Sequence, residues 1–549
     1  MALLHPRAGT RPLPGDLIDP AELTDDYYAL RPDPAEPSQR VAFGTNGHRG
    51  SASRTGFNED HVAAISQAVA DYRAMRSVTG PLFIGSDTHA LSEPARRTAV
   101  EVFAANGVTT VVDSAARCVP TPAVSHAILA HNRDRRSGLA DGVVITPSHN
   151  PPGDGGYKYN QPHGGPAAAD ATSWIQDRAN ELLAQGLAGV RRTPFERAVR
   201  GPAVATHDYL GRYVEDLASV LDLEAVRAAG VRIGADPLGG ASLAYWDRIG
   251  EHYGLDLTVM NPVVDPRWPF LSLDWDGSIR MDCSSPHTMA GPVSQRDRYD
   301  VIVANDADAD RHGIITPDAG LLAPNHFLAA AVWYLHAHRD QWPAGAGIGK
   351  SVVTSGIIDR IARQMNRPVM EVPVGFKWFV GGLSTGALCW AGEESAGASF
   401  LRRDGSVWTT DKDGLVPSLL AAEIIARTGS SPSENYRALT RRFGEPAYTR
   451  VDFPATAEQR ASISALSPES LAADGLLAGE AVVSVLTAAP GNGVPLGGVK
   501  VSTENSWFAA RPSGTEDVYK VYAESFLGPG HVAEVLKEAE RTVSAAITA

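Results

Sequence analysis

Cysteine is scarce in this sequence, and long apolar runs are missing. Three cysteines occur in 549 residues, at Cys118, Cys283 and Cys389. Thiols this widely separated cannot form a disulfide framework or a zinc cluster, so we expect buried free thiols. No stretch approaches the roughly 18 uninterrupted apolar residues of a membrane span. Residues 1–15, interrupted by prolines, lack the apolar core of a signal peptide. We therefore predict a cytoplasmic protein that does not bind membranes.

Positive charge is in deficit. Lys and Arg total 49 against 63 Asp and Glu, which gives a formal net charge of −14. Because nucleic-acid binding requires a basic surface, this balance argues against a general nucleic-acid-binding function. It leaves room for an anionic substrate in a locally basic pocket. The composition, 43% hydrophobic and 20% charged, is typical of a globular protein. At about 150 residues per domain, the length predicts three to four domains.

Short apolar runs alternate with helical stretches through most of the chain. This alternation predicts α/β layers with largely parallel sheets. Residues 1–40, rich in Pro, Asp and Glu, predict an irregular arm. The C-terminal part has strands in succession before a closing helix, which indicates an α+β domain. The strands predicted for the α/β part are 82–85, 108–112, 142–146, 231–234, 301–303, 352–353 and 368–372, and those for the C-terminal part are 482–486, 499–503, 506–510 and 518–523.

The first loop that carries chemistry follows the predicted strand at 142–146 and reads Thr-Pro-Ser-His-Asn-Pro-Pro. Prolines fix the backbone on both sides of Ser148, so we expect its hydroxyl on a stiff, exposed turn. A nucleophile that must meet a phosphoryl group in line needs such positioning. Ser148 lacks the G-x-S-x-G elbow of an α/β-hydrolase. A simple Pro-Ser turn is the alternative interpretation.

The second loop places three carboxylates at alternate positions, Asp306, Asp308 and Asp310, directly after a predicted strand. Carboxylate oxygens are ligands that suit Mg²⁺. Alternate residues of an extended strand lie about 6.5 Å apart, too far to share one ion, so the segment must curl into a loop. An EF-hand is excluded because Arg311 and Pro317 stand where its Gly and Glu are required. A solvated acidic turn is the alternative.

Three further loops have weaker signals. The run Arg-Pro-Ser-Gly-Thr-Glu at 511–516 combines a guanidinium, hydroxyls and glycine, which suits a phosphate cradle or a plain surface turn. The run Gly-Glu-Glu-Ser-Ala-Gly at 392–397, followed by Arg402 and Arg403, offers carboxylates for sugar hydroxyls or caps a helix. The run Gly-Thr-Asn-Gly-His-Arg-Gly at 44–50 is a glycine-rich turn with a cation, and a simple loop is the alternative.

A fourth glycine-rich stretch, 345–351, is similar to a nucleotide-binding P-loop. Its first glycine is replaced by Ala344, and no strand precedes it. Val352 and Val353 after it predict a strand where a P-loop requires a helix. We therefore exclude a P-loop.

Taken together and in this order, the five loops resemble the α-D-phosphohexomutase family, most closely its bacterial phosphoglucomutase branch. The resemblance extends over nearly the whole chain, from residue 41 to residue 524. It implies an α/β fold of four domains around a central cleft, three related α/β domains and a C-terminal α+β phosphate-binding domain. It also implies reversible conversion of glucose 1-phosphate and glucose 6-phosphate through glucose 1,6-bisphosphate. A departure is Asn46, where the family pattern has Ser.

The resemblance also implies roles for individual residues. Ser148 matches the phosphorylated serine and a ligand of one Mg²⁺ ion, with Asp306, Asp308 and Asp310 as the other ligands. Lys158 falls at the family's general base, and His149 is the rival for that role. The other implied residues are Arg49 and Arg311 near the transferred phosphoryl group; Lys377, Glu393, Ser395 and Arg402 at the sugar; and Arg511, Ser513, Gly514 and Thr515 at the phosphate.

The predicted organisation is an N-terminal arm and four domains, with a phosphosugar as substrate and a monomer or homodimer as the active species. Two other functions remain open: a metal-dependent phosphatase with a phosphoserine intermediate, and a sugar-phosphate sensor without activity. A phosphatase needs water at the serine and no reorientation of a bisphosphate, whereas a sensor needs neither Ser148 nor a complete aspartate set. The predicted boundaries are 1–40, 41–205, 206–323, 324–441 and 442–549.

Overall fold

A computed structural model describes residues 4–44, 47–467, 475–513 and 518–548. The chain divides into two compact units, which we describe separately. The N-terminal unit is Leu4–Ala323 with Ala396–Ser431. The C-terminal unit is Met1–Leu3, Pro324–Ser395 and Pro432–Ala549.

The predicted irregular arm contains a helix, α1 (Pro20–Ala29), between two short 3₁₀ turns at Pro14–Asp16 and Pro37–Gln39. Asp19 caps α1 by accepting hydrogen bonds from two backbone N–H groups of its first turn. The helix buries Leu23 and Tyr27 in the core. The prediction was therefore wrong for these ten residues, because a cap and two apolar side chains outweigh a composition rich in Pro and Asp.

The first sheet of the N-terminal unit has six strands in the order β1-β5-β4-β2-β3-β6. The strands β4, β2, β3 and β6 run parallel, whereas β5 is antiparallel to β4 and β1 is antiparallel to β5. The expectation of largely parallel sheets was thus only partly correct, because a short connection can join neighbouring strands only in antiparallel fashion. That connection is the serine loop. The strands are β1 (His48–Ser51), β2 (Leu82–Ser86), β3 (Thr110–Asp113), β4 (Asp141–Ile145), β5 (Asp154–Asn160) and β6 (Val204–His207).

Helices cover this sheet, and apolar side chains of α2, α3 and α5 form its core with Ile84, Val143 and Ile145. The helix α3 ends before Asn106 and the left-handed Gly107. The helices are α2 (Glu59–Met75), α3 (Ser92–Ala105), α4 (Thr121–Asn132), α5 (Ala169–Ala184) and α6 (Phe195–Ala198).

The second sheet of this unit has five strands in the order β11-β10-β9-β7-β8. The strand β9 is parallel to β7 and antiparallel to β10, so a hairpin presents the aspartate loop. The strands are β7 (Ile233–Asp236), β8 (Leu257–Val259), β9 (Val301–Asn305), β10 (His312–Thr316) and β11 (Gly320–Leu321), and the helices are α7 (Tyr209–Asp216), α8 (Leu223–Ala229), α9 (Leu243–Tyr253) and α10 (Ala290–Val293).

The C-terminal unit begins with an α/β layer in which β12 pairs in parallel with β13 and β14. The P-loop-like stretch is β12 itself, so Val352 and Val353 lie beyond the strand, contrary to prediction. A P-loop is still excluded, because its glycines must form a loop around phosphate. Gly349 instead lies in a strand where an added Cβ would meet the Phe379 ring at 2.8 Å. The elements are α11 (Pro324–His338), β12 (Gly347–Ser351), α12 (Ile357–Gln364), β13 (Val369–Val372), α13 (Val380–Thr385) and β14 (Leu388–Glu393).

Two elements of the N-terminal unit follow in the chain, β15 (Gly397–Phe400) and α14 (Leu415–Thr428), and α14 packs against β9 and β10. The C-terminal unit then resumes with α15 (Pro432–Phe443) and the predicted α+β domain. Its main sheet is antiparallel, in the order β16-β22-β21-β20-β19. The elements are β16 (Ala447–Pro454), α16 (Ala457–Ser464), β17 (Leu476–Leu477), β18 (Glu480–Ala481), β19 (Ser484–Ala488), β20 (Pro495–Ser502), β21 (Ser506–Pro512), β22 (Val518–Ser525) and α17 (Pro529–Thr548).

All three thiols are free, as the spacing of the cysteines predicted. Cys283 and Cys389 are buried as expected, whereas Cys118 is only half-buried. Among the helices of the described residues, none combines the length and the apolar character that a membrane crossing requires.

Candidate active site

Ser148 occupies a strained turn between β4 and β5. Its backbone adopts a left-handed conformation with φ +62°, which costs about 1–2 kcal/mol for a residue with a Cβ. The Ser148 N–H donates to Thr146 Oγ1 at 2.8 Å, and the Ser148 hydroxyl donates to Asp306 Oδ2 at 2.6 Å. Ser148 is only 1% exposed, so the expectation of an exposed hydroxyl was wrong. The aspartate loop covers the turn that the prolines stiffen.

The aspartate loop is curled, as the sequence analysis predicted from the short distances between ligands of one ion. Asp306, Asp308 and Asp310 each offer a carboxylate oxygen within 4.8 Å of the others. Ala309 permits the bend with φ +53°, and the Arg311 N–H closes it by donating to Asp306 Oδ1 at 3.0 Å. Burial and the charges of Asp308 and Asp310 raise the pKa of Asp306 well above its usual value.

The residues present fit a divalent cation. Asp308 Oδ1 and Asp310 Oδ1 are buried and have no hydrogen-bond partner among the described residues. An unpartnered buried carboxylate oxygen is strongly unfavourable, and a hard cation would satisfy both oxygens at once. The three aspartates, with Ser148 Oγ next to them, are therefore consistent with a metal site.

Basic side chains surround the carboxylates. Lys158 Nζ lies 2.7 Å from Asp308 Oδ2 and 3.1 Å from Asp310 Oδ2, and Lys412 Nζ lies 2.9 Å from Asp310. Burial lowers the pKa of Lys158, but Asp308 and Asp310 outweigh it, and the net shift is upward. Lys158 is therefore an ammonium group. Arg311 Nε is 3.9 Å from oxygens of Asp306 and Asp310 and makes no hydrogen bond within the described part of the chain.

The two candidate general bases differ in protonation. Burial, followed by the charge of Arg311, lowers the pKa of His149 well below its usual value, so its imidazole is neutral. His149 Nδ1 lies 3.4 Å from Ser148 Oγ. Of the two residues, His149 is the one that lies next to the Ser148 hydroxyl, whereas Lys158 lies between the Asp308 and Asp310 carboxylates. Arg49 Nη1 donates to Asn150 Oδ1 at 3.2 Å, which places this guanidinium beside the same turn.

Two residues of this cluster were missed by the sequence analysis. Lys412 lies in the run Asp-Lys-Asp at 411–413, which in sequence cannot be told from a surface turn. Thr121, the first residue of α4, donates through Oγ1 to Asp308 Oδ2 and through its N–H to the Asp308 carbonyl at 2.9 Å. The preceding Pro120 marks a helix start, but nothing in the sequence connects that start to the aspartate loop.

In the C-terminal unit, Glu393 connects the loop of Lys377 to β14. Glu393 Oε1 accepts a hydrogen bond from the Gly375 N–H at 2.7 Å. Lys377 Nζ lies 5.1 Å above the Trp378 ring, and burial lowers the pKa of this lysine. Ser395 is half-buried just beyond the strand. Glu393 is thus positioned beside the loop that the resemblance assigns to sugar recognition.

The predicted phosphate loop begins where β21 ends. Arg511 pairs with Lys520 of β22, so two cations are neighbours across the sheet. Arg511 Nε is buried and makes no hydrogen bond to the residues that the structure describes. The Ser513 N–H donates to the Val518 carbonyl at 2.9 Å, which brings the two ends of the loop together. Gly514 and Thr515 lie outside the described residues.

Arg402 is engaged within the protein. Its Nη1 donates to Asp216 Oδ1 at 2.6 Å and to Ser219 Oγ, and its Nε donates to the Val407 carbonyl at 3.0 Å. The guanidinium also lies 5.0 Å above the Trp408 ring. These contacts hold a loop of the N-terminal unit in place, so we remove Arg402 from the predicted substrate-binding residues.

Comparison with known families gives four matches in order along the chain. The phosphoglucomutase/phosphomannomutase alpha/beta/alpha domains I, II and III match residues 40–185, 211–320 and 323–443. The C-terminal domain of the same family matches residues 472–541.

Individual relatives agree with these matches. The chain is 55% identical over 545 residues to a phosphoglucomutase of Komagataeibacter xylinus, covering 99% of this chain and 98% of the relative. It is 28% identical to phosphoglucomutase 1 of Drosophila melanogaster, covering 76% of this chain and 75% of the relative. A putative phosphomannomutase structure from Thermus thermophilus matches with a TM-score of 0.72 and 24% identity, covering 92% and 99% of the two chains. At this identity the structural match supports the fold alone.

Proposed function

The chain belongs to the phosphoglucomutase/phosphomannomutase family, and from that premise we propose that it interconverts α-D-glucose 1-phosphate and D-glucose 6-phosphate through a phosphoserine and a glucose 1,6-bisphosphate intermediate. The family and the four-domain α/β architecture implied by the loops are confirmed. The 55% identity over 99% of the chain to a phosphoglucomutase supports this substrate pair over other hexose phosphates.

One observation carries the mechanism. Ser148 Oγ, at the tip of a left-handed turn, lies 2.6 Å from one of three clustered carboxylates. Phosphoryl transfer requires little covalent chemistry beyond the nucleophile; it depends on positioning and on cations near the peripheral oxygens. The N-terminal unit provides both the fixed hydroxyl and the cations.

We assign the metal site to Mg²⁺, with Asp306, Asp308, Asp310 and the oxygen of Ser148 as its protein ligands. When bound, Mg²⁺ would neutralise charge that develops on the transferred phosphoryl group. A set of donors that are all oxygen atoms suits this hard ion better than it suits softer metals.

The surrounding side chains would bind the oxygens of the phosphoryl group and transfer protons. Arg49 and Arg311 would contact peripheral oxygens of the phosphoryl group, because both guanidiniums lie beside the serine turn or the carboxylates. His149, whose Nδ1 lies 3.4 Å from Ser148 Oγ, would accept the proton of the attacking hydroxyl, and Lys158, which lies between two carboxylates, would donate one to a leaving oxygen.

Substrate recognition would fall to residues of the C-terminal unit. Arg511 and Ser513, with Gly514 and Thr515 of the same motif, would hold the phosphate that is not being transferred. Glu393, Ser395 and Lys377 would contact the sugar, whose vicinal hydroxyls are donors for the Glu393 carboxylate. Because a bisphosphate must present its two phosphates to one serine in turn, a second phosphate site is required by the chemistry.

The test is a coupled assay in which glucose 6-phosphate is oxidised as it forms. Purified protein, glucose 1-phosphate, Mg²⁺ and a trace of glucose 1,6-bisphosphate should give sustained turnover. The S148A variant and protein in excess chelator serve as controls and should be inactive. Release of inorganic phosphate instead of glucose 6-phosphate would identify a phosphatase, and binding without turnover would identify a sensor.

A further inference from the structure

The connection between β2 and α3 contacts the serine turn through two side chains, Asp87 and His89. Both are almost completely buried, with exposures of 3%. Neither belongs to the five loops that the sequence analysis selected. Buried charged side chains need partners, and each of the two has one partner on the serine turn.

Asp87 contacts the serine turn through one hydroxyl. Asp87 Oδ2 accepts a hydrogen bond from Thr146 Oγ1 at 2.5 Å, and the same Thr146 oxygen accepts from the Ser148 N–H at 2.8 Å. The other oxygen, Asp87 Oδ1, accepts from Ser92 Oγ at 2.5 Å and from the His89 N–H at 3.0 Å. A single threonine hydroxyl therefore connects the carboxylate to the backbone of the nucleophile.

His89 contacts the other side of the turn and carries a positive charge. Its Nε2 lies 3.0 Å from the Asn150 carbonyl oxygen, and its Nδ1 lies 2.9 Å from Asp87 Oδ2. A carbonyl and a carboxylate only accept hydrogen bonds, so both ring nitrogens must carry a hydrogen. Burial lowers the pKa of His89, but the charge of Asp87 and their hydrogen bond outweigh it, and the net shift is upward.

These contacts flank the nucleophile symmetrically, at Thr146 two positions before Ser148 and at Asn150 two positions after it. The left-handed backbone of Ser148 costs about 1–2 kcal/mol, and such a conformation persists only where its surroundings fix it. Two hydrogen-bonded anchors on a buried ion pair provide that constraint.

The same connection reaches the segment that supports the aspartate loop. Thr88 Oγ1 donates to the Gly239 carbonyl at 2.8 Å. Two residues further on, the Ala241 N–H donates to the Ala307 carbonyl of the aspartate loop at 2.8 Å. Residues 87–92 thus contact the nucleophile's turn directly and the metal-binding loop through one intervening segment.

We propose that Asp87 and His89 form a buried ion pair that fixes the Ser148 hydroxyl for phosphoryl transfer, Asp87 through the Thr146 hydroxyl and His89 through the Asn150 carbonyl. Both are positioning residues, since neither touches the reacting atoms. The inference rests on the proposed function, because the transfer it assists is that of the mutase. It adds these two residues, and the threonine that connects Asp87 to Ser148, to the machinery of the reaction.

The kinetic test removes the connecting hydroxyl. T146V deletes the hydrogen bonds to Asp87 and Ser148 with almost no change of volume. It should lower kcat about 10- to 100-fold, the scale expected when a reacting group is misplaced by a fraction of an ångström to one ångström. The KM for glucose 1-phosphate should stay within about two-fold, since no substrate contact is lost. T146S retains the hydroxyl and should restore most of kcat.

The matched control is S92A. It removes a hydrogen bond from the same carboxylate, but from the oxygen that does not contact Thr146. Its thermal unfolding temperature should fall by about as much as that of T146V, while its kcat stays within about two-fold of wild type. If T146V and S92A lose the same fraction of kcat, or if the loss of kcat is proportional to the decrease in unfolding temperature, the network has a purely structural role. Either result would overturn the proposal.

A measurement without turnover tests the ion pair itself. NMR of protein labelled with ¹⁵N-histidine, with the H89Q variant to assign the signal, should show hydrogens on both ring nitrogens of His89 at neutral pH. A singly protonated ring would overturn the ion pair. Wild-type protein that fails to convert glucose 1-phosphate would refute the proposed function instead. If the wild type is active and T146V has an unchanged kcat, or differs from the wild type in KM alone, only this inference is refuted.

Discussion

Ser148 Oγ lies 2.6 Å from Asp306 Oδ2, although 158 positions separate the two residues in the chain. The contact joins a hairpin of the first sheet to a hairpin of the second, and it brings the nucleophile to the metal site. Each hairpin exists because a short loop joins antiparallel strands. Two antiparallel hairpins in these mixed sheets therefore bring the serine and the aspartates together.

The nucleophile is tested by S148A. Loss of the hydroxyl removes the covalent intermediate, so we expect the mutase rate to fall by about three orders of magnitude or more. The variant should also take up no phosphate from glucose 1,6-bisphosphate, as measured by intact mass. S242A is the matched control, because Ser242 Oγ is buried without a hydrogen-bond partner; its activity should be normal. Phosphate uptake by S148A would place the phosphoryl group elsewhere.

The metal site is tested by D308N and by chelation. Excess chelator should abolish turnover, and Mg²⁺ should restore it. D308N removes the charge of a carboxylate whose Oδ1 is unpartnered in the protein, so Mg²⁺ affinity measured by calorimetry should fall by at least about ten-fold. D113N, a buried carboxylate paired with Arg117 outside the site, should bind Mg²⁺ normally. Full activity in chelator would refute the metal assignment.

The phosphate cradle is tested by R511A. If Arg511 holds the phosphate that is not transferred, it contacts both substrates, and the KM should rise in both directions. A charge-assisted hydrogen bond contributes roughly 1.5–3 kcal/mol, which corresponds to about 10- to 150-fold. Phosphorylation of Ser148 should persist, and R541A, on the exposed face of α17, should be unaffected. An increase in one direction only would show that the loop is not a shared cradle.

Stability should decrease in mild acid because of His48. Burial, followed by the charge of His61, lowers the pKa of His48 to about 3. In the unfolded chain its pKa is about 6.5, so between these values the unfolded state binds a proton that the folded state does not. The lowered pKa of His48 adds to the free energy of unfolding. This contribution is fully present above pH 6.5 and falls by up to about 1.4 kcal/mol per pH unit as the pH decreases toward 3.

The measurement compares thermal unfolding of wild type and H48Q at pH 7 and pH 5. The unfolding temperature of wild type should fall more steeply than that of H48Q, since the variant lacks the imidazole that protonates on unfolding. H252Q is the control, because this helix-terminal histidine is not buried. Parallel curves for wild type and H48Q would show that His48 does not contribute.

The motifs in the sequence correctly predicted where several candidate residues lie in the fold, whereas the roles of these residues in catalysis and metal binding stay predictions. Ser148 and the aspartates follow strands, as their apolar runs predicted, and the required curl of the aspartate loop is present. This success has a physical reason: turn geometry and ligand chemistry are local, so a few consecutive residues contain them. The cytoplasmic location, the monomer or homodimer state and the domain boundaries stay predictions.

Features that depend on distant contacts could not be predicted in this way. Lys412 and Thr121 reach the carboxylates only through folding, and Asp87 and His89 have no motif that connects them to the serine. Arg402 was misassigned because its neighbours in sequence suggested a sugar site, whereas in the fold its guanidinium contacts Asp216 and Trp408. The burial of Ser148 was missed for a similar reason, because it depends on a contact with the distant Asp306.

The central claim is that Ser148 gives its phosphoryl group to O6 of glucose 1-phosphate and is then rephosphorylated by the phosphate from C1. Protein phosphorylated with ³²P at Ser148 is mixed with one equivalent of glucose 1-phosphate and Mg²⁺, and the reaction is quenched within one turnover. The label should leave the protein, appear in glucose 1,6-bisphosphate, and then appear in glucose 6-phosphate, while any label that returns to the protein comes from bisphosphate that reverts to glucose 1-phosphate. Label released as inorganic phosphate, with no bisphosphate formed, would contradict the account.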